Sequence, residues 1–366
     1  MAEVLTPLNK ADPATPSGKT VHVRNGNPAQ SSTGSRRHRS RTDVALLGLV
    51  AGTLLAALVA AGFDLLPTVT GVPTPGMVIN YGLPVSRAFT DLAAMAMFGF
   101  GLVPLLLPDC PPARRRAALR ASTVANALLV LSAMLSLTLE AADVWFGQPL
   151  TFGLLVNYVG TEETGQALVA TAALGLVCLA VNRFSMGRPD AVPTELRLVL
   201  AGVALLPLPL TGHGEDSLYH GLIMLTREAH VVSAAAWTGG LFALALLVSR
   251  HRRELAVALP RFSTLATVML LVVGFTGIVD ALVQLADTPG VGLAGLWSSR
   301  YGLIVLAKLA CLIVLALLGG RIRFRLLPAV RDGRRVALLG WASLELTVMG
   351  LAYGLAAVLS HSPVVG

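Results

Sequence analysis

The sequence predicts an all-α protein, a polytopic transmembrane helix bundle of about nine spans with a cytoplasmic amino terminus and an outward-facing carboxyl terminus. Hydrophobic residues make up 54% of the 366 residues and charged residues only 13%, whereas soluble domains carry about 25% charged residues. The mean hydropathy is +0.71. The apolar residues gather in runs close to the length of about 20 residues that spans a bilayer, and none alternates like a barrel strand. We therefore expect a multi-pass protein of a bacterial inner membrane.

The first 42 residues differ from the rest of the chain. Residues 1–42 are rich in Pro, Ser, Thr, Gly and Asn and end in a cluster of arginines, a composition that predicts a disordered, basic cytoplasmic tail. The first apolar run follows without a small-residue cleavage site, so we expect a retained signal-anchor helix. The net charge of +8 lies in short clusters between apolar runs. It is therefore a topology signal and not a nucleic-acid-binding surface.

Nine apolar runs are candidates for spanning helices. Four of them lie in an N-terminal membrane region, residues 43–195, and five in a second membrane domain, residues 196–366. The least regular run contains Pro207 and Pro209, and we retain it because the charge pattern of the loops requires it. The predicted spans are 44–64, 85–107, 119–140, 164–182, 196–212, 229–249, 263–284, 301–320 and 336–360.

The connecting segments alternate in charge. Segments 108–120, 183–197, 250–261 and 321–335 are rich in arginine, whereas the segments between them are nearly free of Lys and Arg. Cytoplasmic loops of membrane proteins carry the excess of basic residues. The alternation therefore places the basic segments in the cytoplasm and the carboxyl terminus outside.

Imidazole and thioether side chains collect at the predicted outer face. Three of the histidines are at the ends of different predicted helices, and the fourth lies in a short loop. These two ligand types suit copper, and Cu(I) favours the softer sulfur donors. We predict a copper site here, and the alternative is that interfacial histidines have gathered by chance. The predicted ligands are His213, His230, His361, His220, Met224 and Met77.

We single out five of the ionisable residues inside predicted helices, where charge is costly and marks functional candidates. Arg87 and Asp91 are one turn apart and are expected to neutralise each other. Asp280 and Lys308 lie at comparable depths, and they form either a structural ion pair or part of an ion path. Glu345 lies deeper, toward the cytoplasmic half, and is predicted to be a cation relay below the histidines.

The sixth predicted helix contains small residues at close spacing. Ala236 and Gly240 form a small-xxx-small pair that lets another helix approach, and Trp237 follows His230 by seven residues on nearly the same face. We expect packing roles for Gly239 and Gly240 and a space-filling role for Trp237.

This segment and those after it resemble the copper resistance protein D (CopD) family. The resemblance covers about residues 200–366 and implies copper handling, usually import across the inner membrane. It supports His230 and His361 as metal-binding residues most directly, followed by His213. The matching segments are Arg227-Glu-Ala-His230, Ala-Ala-Trp237-Thr-Gly239-Gly240, Ser299-Arg300-Tyr301-Gly302, Leu-Ala-Lys308-Leu, and Glu345 with the closing Val-Leu-Ser-His361.

Three functions remain open at this point. The first is a copper permease or delivery protein that takes copper from a periplasmic or extracellular donor. The second is a membrane b-type cytochrome whose histidines bind haem, and the third is a non-transporting chaperone that serves a cytochrome oxidase assembly factor. No hydrolase or dinucleotide-binding motif occurs in a credible setting, so we do not expect an enzyme.

Overall fold

The structure is a computed structural model in which two compact units are distinguished, Met1–Arg37 and His38–Gly366. Of the first unit only residues 29–37 are described. The structure describes residues 29–64, 76–145, 147–188, 191–211, 220–287, 292–326 and 338–359.

The described residues form eleven α-helices and no strand, and eight helices are long and apolar enough to cross a membrane. The predicted all-α, polytopic class is therefore confirmed. Short 3-10 turns cover Leu208–Thr211 and Gly292–Ala294, and π-helical turns extend α7 over Leu244–Val248 and α10 over Ile322–Leu326. The helices are α1 (Ala29–Asp64), α2 (Met77–Leu106), α3 (Pro112–Val144), α4 (Phe152–Thr161), α5 (Glu163–Gly187), α6 (Thr194–Val203), α7 (His220–Ala243), α8 (Arg252–Asp287), α9 (Gly295–Ser298), α10 (Arg300–Arg321) and α11 (Leu338–Leu359).

The predicted span 196–212 differs from the other eight. Only α6 is α-helical there, about 15 Å of rise, and a turn and the 3-10 segment follow it. Pro207 and Pro209 explain the break, because proline lacks the amide donor that an α-helix needs. Leu205 and Leu208 in the irregular part are buried, and irregular backbone at membrane depth is tolerated where protein surrounds it.

Three helices differ from the sequence prediction: two begin at other residues, and one lies in a predicted loop. Helix α1 begins at Ala29, so residues 29–42 are helical where an irregular tail was expected, since extending an existing helix is far easier than nucleating one. The short helix α4 occupies a predicted loop, and Thr151 caps it by accepting a hydrogen bond from the Leu154 amide at 3.3 Å. Helix α7 begins at His220, nine residues before the predicted start at 229.

Small residues let the central helices pack closely. Helices α2 and α7 cross at Gly99 and Gly239, where a β-carbon on Gly239 would overlap the carbonyl oxygen of Met95. In contrast, α8 and α10 expose large apolar side chains such as Phe275 and Leu317. Close approach at glycine is a common basis of helix packing in membranes, so α2 and α7 form the core and α8 and α10 face lipid.

Contacts between loops agree with the predicted sidedness. Arg114, at the start of α3, forms an ion pair with Glu254 of α8, 2.9 Å from Nε to Oε2. Arg323, just after α10, donates hydrogen bonds to the Thr267 hydroxyl at 2.8 Å and to the Ser263 carbonyl at 3.3 Å. Three of the arginine-rich segments therefore lie at one end of the bundle, which we call the cytoplasmic side.

The crossing of α2 and α7 leads to a stability prediction. We expect Gly239→Ala to lower the melting temperature of the purified protein in detergent, because overpacking a tight contact costs about 1–3 kcal/mol. Gly320→Ala is the matched control, since a β-carbon there has no neighbour within 4 Å. Differential scanning fluorimetry compares the two, and an unchanged melting temperature for Gly239→Ala would contradict the close crossing.

Candidate functional site

A cavity of about 750 Å³ lies between α2, α7, α8, α10 and α11. It falls within the usual size range of ligand sites. We call it the outer cavity because its charged residues lie toward the end of the bundle opposite the basic loops. It gathers residues that the sequence analysis singled out on separate helices, namely Arg87, Asp91, Arg227, His230, Trp237, Asp280, Tyr301 and Lys308.

Two arginine–aspartate pairs hold most of the charge in this cavity. The Arg227 Nε atom donates to Asp280 Oδ1 at 2.7 Å, and the Arg87 Nε atom lies 3.4 Å from Asp91 Oδ1. The second pair was predicted and is confirmed. The first corrects the suggested Asp280–Lys308 pair: depth along separate helices could be estimated from sequence, but the direction in which each side chain points could not.

Lys308 lies in the same cavity without a direct partner. Among the described residues it forms no hydrogen bond or ion pair, although it lies within electrostatic range of both Asp280 and Asp91. Each arginine is paired to one carboxylate, so Lys308 in its protonated form adds an excess positive charge to the wall.

His230 has one ring nitrogen in contact with a hydroxyl of the neighbouring helix. Its Nδ1 atom is 3.0 Å from the Thr276 hydroxyl oxygen, and that hydroxyl lies 2.7 Å from the Val272 carbonyl. The ring is also hydrogen-bonded to the Val273 carbonyl. In the neutral tautomer with a proton on Nδ1, the Thr276 oxygen accepts from Nδ1–H and Nε2 carries the lone pair, an arrangement by which a second group orients a metal-binding histidine.

The helix around His230 also changes the predicted site. Because α7 begins at His220, His230 lies about 15 Å along the helix axis from its start, and not at the helix end. Gly277 of α8 makes room for the imidazole ring, since a β-carbon there would lie 3.3 Å from His230 Cε1.

Two buried thioethers of the cavity were not identified from sequence. Met95 of α2 and Met349 of α11 line its wall, and each is 2% exposed. Methionine in an apolar run gives no signal distinct from leucine, so only the three-dimensional packing singles them out. Thr276 had a weak signal, as a hydroxyl between Gly274 and Gly277 in an otherwise apolar helix.

The other predicted residues either lie outside this cavity or fall outside the described residues. His213 and His361 fall outside the described residues, as does the side chain of His220. Met77 is 80% exposed at the start of α2, and Met224 is not part of the cavity wall. Arg300 is an exposed residue at the start of α10, and Gly240 packs against Phe262 of α8.

No group of three or more His, Cys, Asp or Glu side chains with metal-binding geometry occurs among the described residues. A metal site here would therefore need sulfur from methionine, main-chain groups, or side chains outside the described ranges. His230 is the only histidine in the described wall of the outer cavity.

Two family models match the chain. Residues 256–359 match the family described as Copper resistance protein D, and residues 78–221 match the family described as Copper resistance protein D-like, N-terminal domain. Most of the second match lies before residue 200, where the resemblance described above does not reach. The predicted domain boundary at 195/196 lies inside this match. The curated proteins and the solved structures contain no significant match to the chain.

The Arg227–Asp280 pair leads to a double-mutant prediction. We expect Arg227→Gln and Asp280→Asn each to destabilise the protein, because each leaves one charge unpaired. The double variant should lose less stability than the sum of the two single losses. The difference, the coupling energy, should be about 0.5–3 kcal/mol, measured by unfolding in detergent micelles. The matched cycle of Lys308→Gln with Asp280→Asn should show a smaller coupling, and a larger one would contradict the observed pairing.

Proposed function

From the premise that the chain belongs to the copper resistance protein D family, we propose that it binds copper in the outer cavity and carries it inward across the membrane. His230 Nε2 and the Met95 thioether are the proposed ligands. The observation that carries the proposal is the contact of His230 Nδ1 with the Thr276 hydroxyl in the cavity wall, which in the tautomer with a proton on Nδ1 makes Nε2 the metal-binding nitrogen.

The chemistry of this wall favours copper over harder cations. An imidazole nitrogen with a thioether sulfur is a soft ligand set, which Cu(I) prefers, whereas Mg²⁺ and Ca²⁺ prefer oxygen. The carboxylates of the cavity are engaged by arginine. His213 and His361 remain proposed residues for capturing copper at the outer face.

The excess charge of Lys308 supports transport over storage. A cation beside an ammonium group is held less tightly, and passage requires sites that are strong enough to fill and weak enough to empty. A chaperone that only stores copper would gain from the opposite arrangement. Delivery to a cytochrome oxidase assembly factor nevertheless remains the second candidate, because a site that releases its ion serves both functions.

The first test is the copper affinity of His230 variants. We expect His230→Ala to abolish high-affinity Cu(I) binding, and Thr276→Val to weaken it by about 10–100-fold, because the hydrogen bond that orients the imidazole is lost. Competition with a chromogenic Cu(I) chelator measures both affinities in the purified protein.

The control for this test is His251→Ala, a histidine on the cytoplasmic side that contacts Arg114. It should bind copper as the wild type does. Unchanged affinity in His230→Ala would refute the proposed ligand, and haem absorption bands in the purified protein would instead favour the cytochrome.

His213→Ala with His361→Ala should slow copper uptake by cells while leaving the affinity of the His230 site intact.

The second test concerns Lys308. We expect Lys308→Gln to bind Cu(I) more tightly than the wild type, because it removes a repulsive charge, and to slow its release into proteoliposomes. Chelator competition and copper uptake, measured on the same preparation, check the two effects. Weaker binding by this variant would show that the lysine acts by holding the cavity in shape and not by repulsion.

A further inference from the structure

A second cavity, of about 370 Å³, lies nearer the basic loops. Its wall combines the carboxyl-terminal end of α7, the amino-terminal half of α8, the end of α10 and the start of α11. We call it the inner cavity. Most of its wall is apolar, with a few hydroxyl groups, and its ionisable side chains are Glu345 and Arg323.

Glu345 is the buried carboxylate of this cavity. The residue is 4% exposed, and its Oε1 atom lies near Gly319 of α10. Among the described residues it accepts no hydrogen bond and forms no ion pair. A buried carboxylate with no partner is disfavoured in its charged form, and it becomes neutral by binding a proton.

The charged side chains of the neighbouring helices that show a contact are engaged elsewhere, and Lys308 of α10 lines the outer cavity. Arg323 donates to Thr267 and to the Ser263 carbonyl, and Arg321 lies over the Trp341 ring, 5.5 Å from its centroid. On α7 and α8 the ion-paired groups are Arg227, Asp280 and Glu254, and on α2 they are Arg87 and Asp91. The described side chains of α1, residues 44–62, are uncharged.

The two cavities meet at a common partition. Trp237 of α7 and Leu315 of α10 line both of them, and these residues are 5% and 4% exposed. Glu345 is one helical turn from Met349, which lines the outer cavity. The carboxylate is therefore separated from the His230 site by one layer of apolar side chains.

We propose that Glu345 is a proton-binding site in the inner cavity, on the cytoplasmic side of the Trp237–Leu315 partition. The ligand is a proton because the described part of the wall offers neither imidazole nor thioether, the donors that hold Cu(I). A single carboxylate in apolar surroundings can become neutral by taking a proton without any further ligand.

The role of Glu345 in transport rests on the proposed copper function. The binding of a proton by Glu345 does not depend on that function. If copper passes from the outer cavity to the cytoplasm, it must cross the region beside Glu345. Release of the proton to water on the inner side gives the passing cation a compensating negative charge, and uptake of a proton from the same water restores a neutral wall. Copper passage thus becomes sensitive to the pH on the inner side.

The first experiment labels the carboxyl group directly. Dicyclohexylcarbodiimide reacts with protonated carboxylic acids in apolar surroundings, and we expect mass spectrometry to find the adduct on Glu345 of the intact, detergent-solubilised protein. Glu254, which is ion-paired with Arg114, is the internal control and should stay unlabelled. Absence of the adduct on Glu345 in a folded preparation would overturn the proposal, whatever the protein does with copper.

The second experiment tests coupling with Glu345→Gln, which has the shape of the protonated acid. We expect Cu(I) affinity within about twofold of the wild type, because the His230 site is untouched. In proteoliposomes the copper uptake of the wild type should change with internal pH, and that of Glu345→Gln should not. Equal pH dependence in both proteins would overturn the proton role, whereas a wild type that neither binds nor transports copper would refute the proposed function and leave the labelling result to decide on Glu345.

Discussion

A charged group within the hydrocarbon layer must be paired or enclosed by protein, and this constraint organises the whole bundle. The Arg227–Asp280 pair joins α7 to α8, and the Arg87–Asp91 pair lies on α2. A further hydrogen bond, from Arg87 to the Leu208 carbonyl at 2.9 Å, ties α2 to the irregular segment after α6. This bond gives the 3-10 segment a side-chain contact with α2. The charges that are costly in lipid thus hold together the part of the fold that proline weakens.

Close packing at glycine explains the arrangement of the cavity walls. Glycine lets α2 and α7 approach until their backbones touch at Gly99 and Gly239, so the core of the bundle is tight on that side. The outer cavity lies between these two helices and α8, α10 and α11. His230 faces this space with its ring against Gly277. Its orientation is set by Thr276 on the neighbouring helix, so any relative movement of α7 and α8 acts directly on the proposed ligand.

The sequence predicts the helices well because hydropathy and loop charge are one-dimensional properties. The alternation of arginine-rich loops agrees with the contact between Arg114 and Glu254, which joins two segments assigned to the same side. The direction in which a side chain points around its helix axis is not a one-dimensional property. The sequence therefore predicted the wrong partner for Asp280. Arg227 and Glu228 interrupt the apolar run, so the sequence predicted that the helix begins at residue 229. That boundary placed His230 at a helix end. Met95 and Met349 carry no pattern that separates them from packing residues. The outer histidines at 213 and 361 lie outside the described residues, so their grouping remains a prediction.

Two cavities separated by one apolar layer suit a cation that moves with the membrane potential. Inward movement of one positive charge gains about 2.3 kcal/mol per 100 mV, so an importer does not need a tight inner site. A strongly binding inner cavity would in fact oppose release, and its wall, with neither imidazole nor thioether, is the weaker one for copper. The energetic obstacle is then the passage of charge past Trp237 and Leu315, where apolar side chains exclude water. A carboxylate just beyond that layer lowers this obstacle when it is ionised and leaves the wall neutral when it is protonated. The position of Glu345, one turn beyond the floor of the outer cavity, is the place where such a group has the greatest effect on a crossing cation.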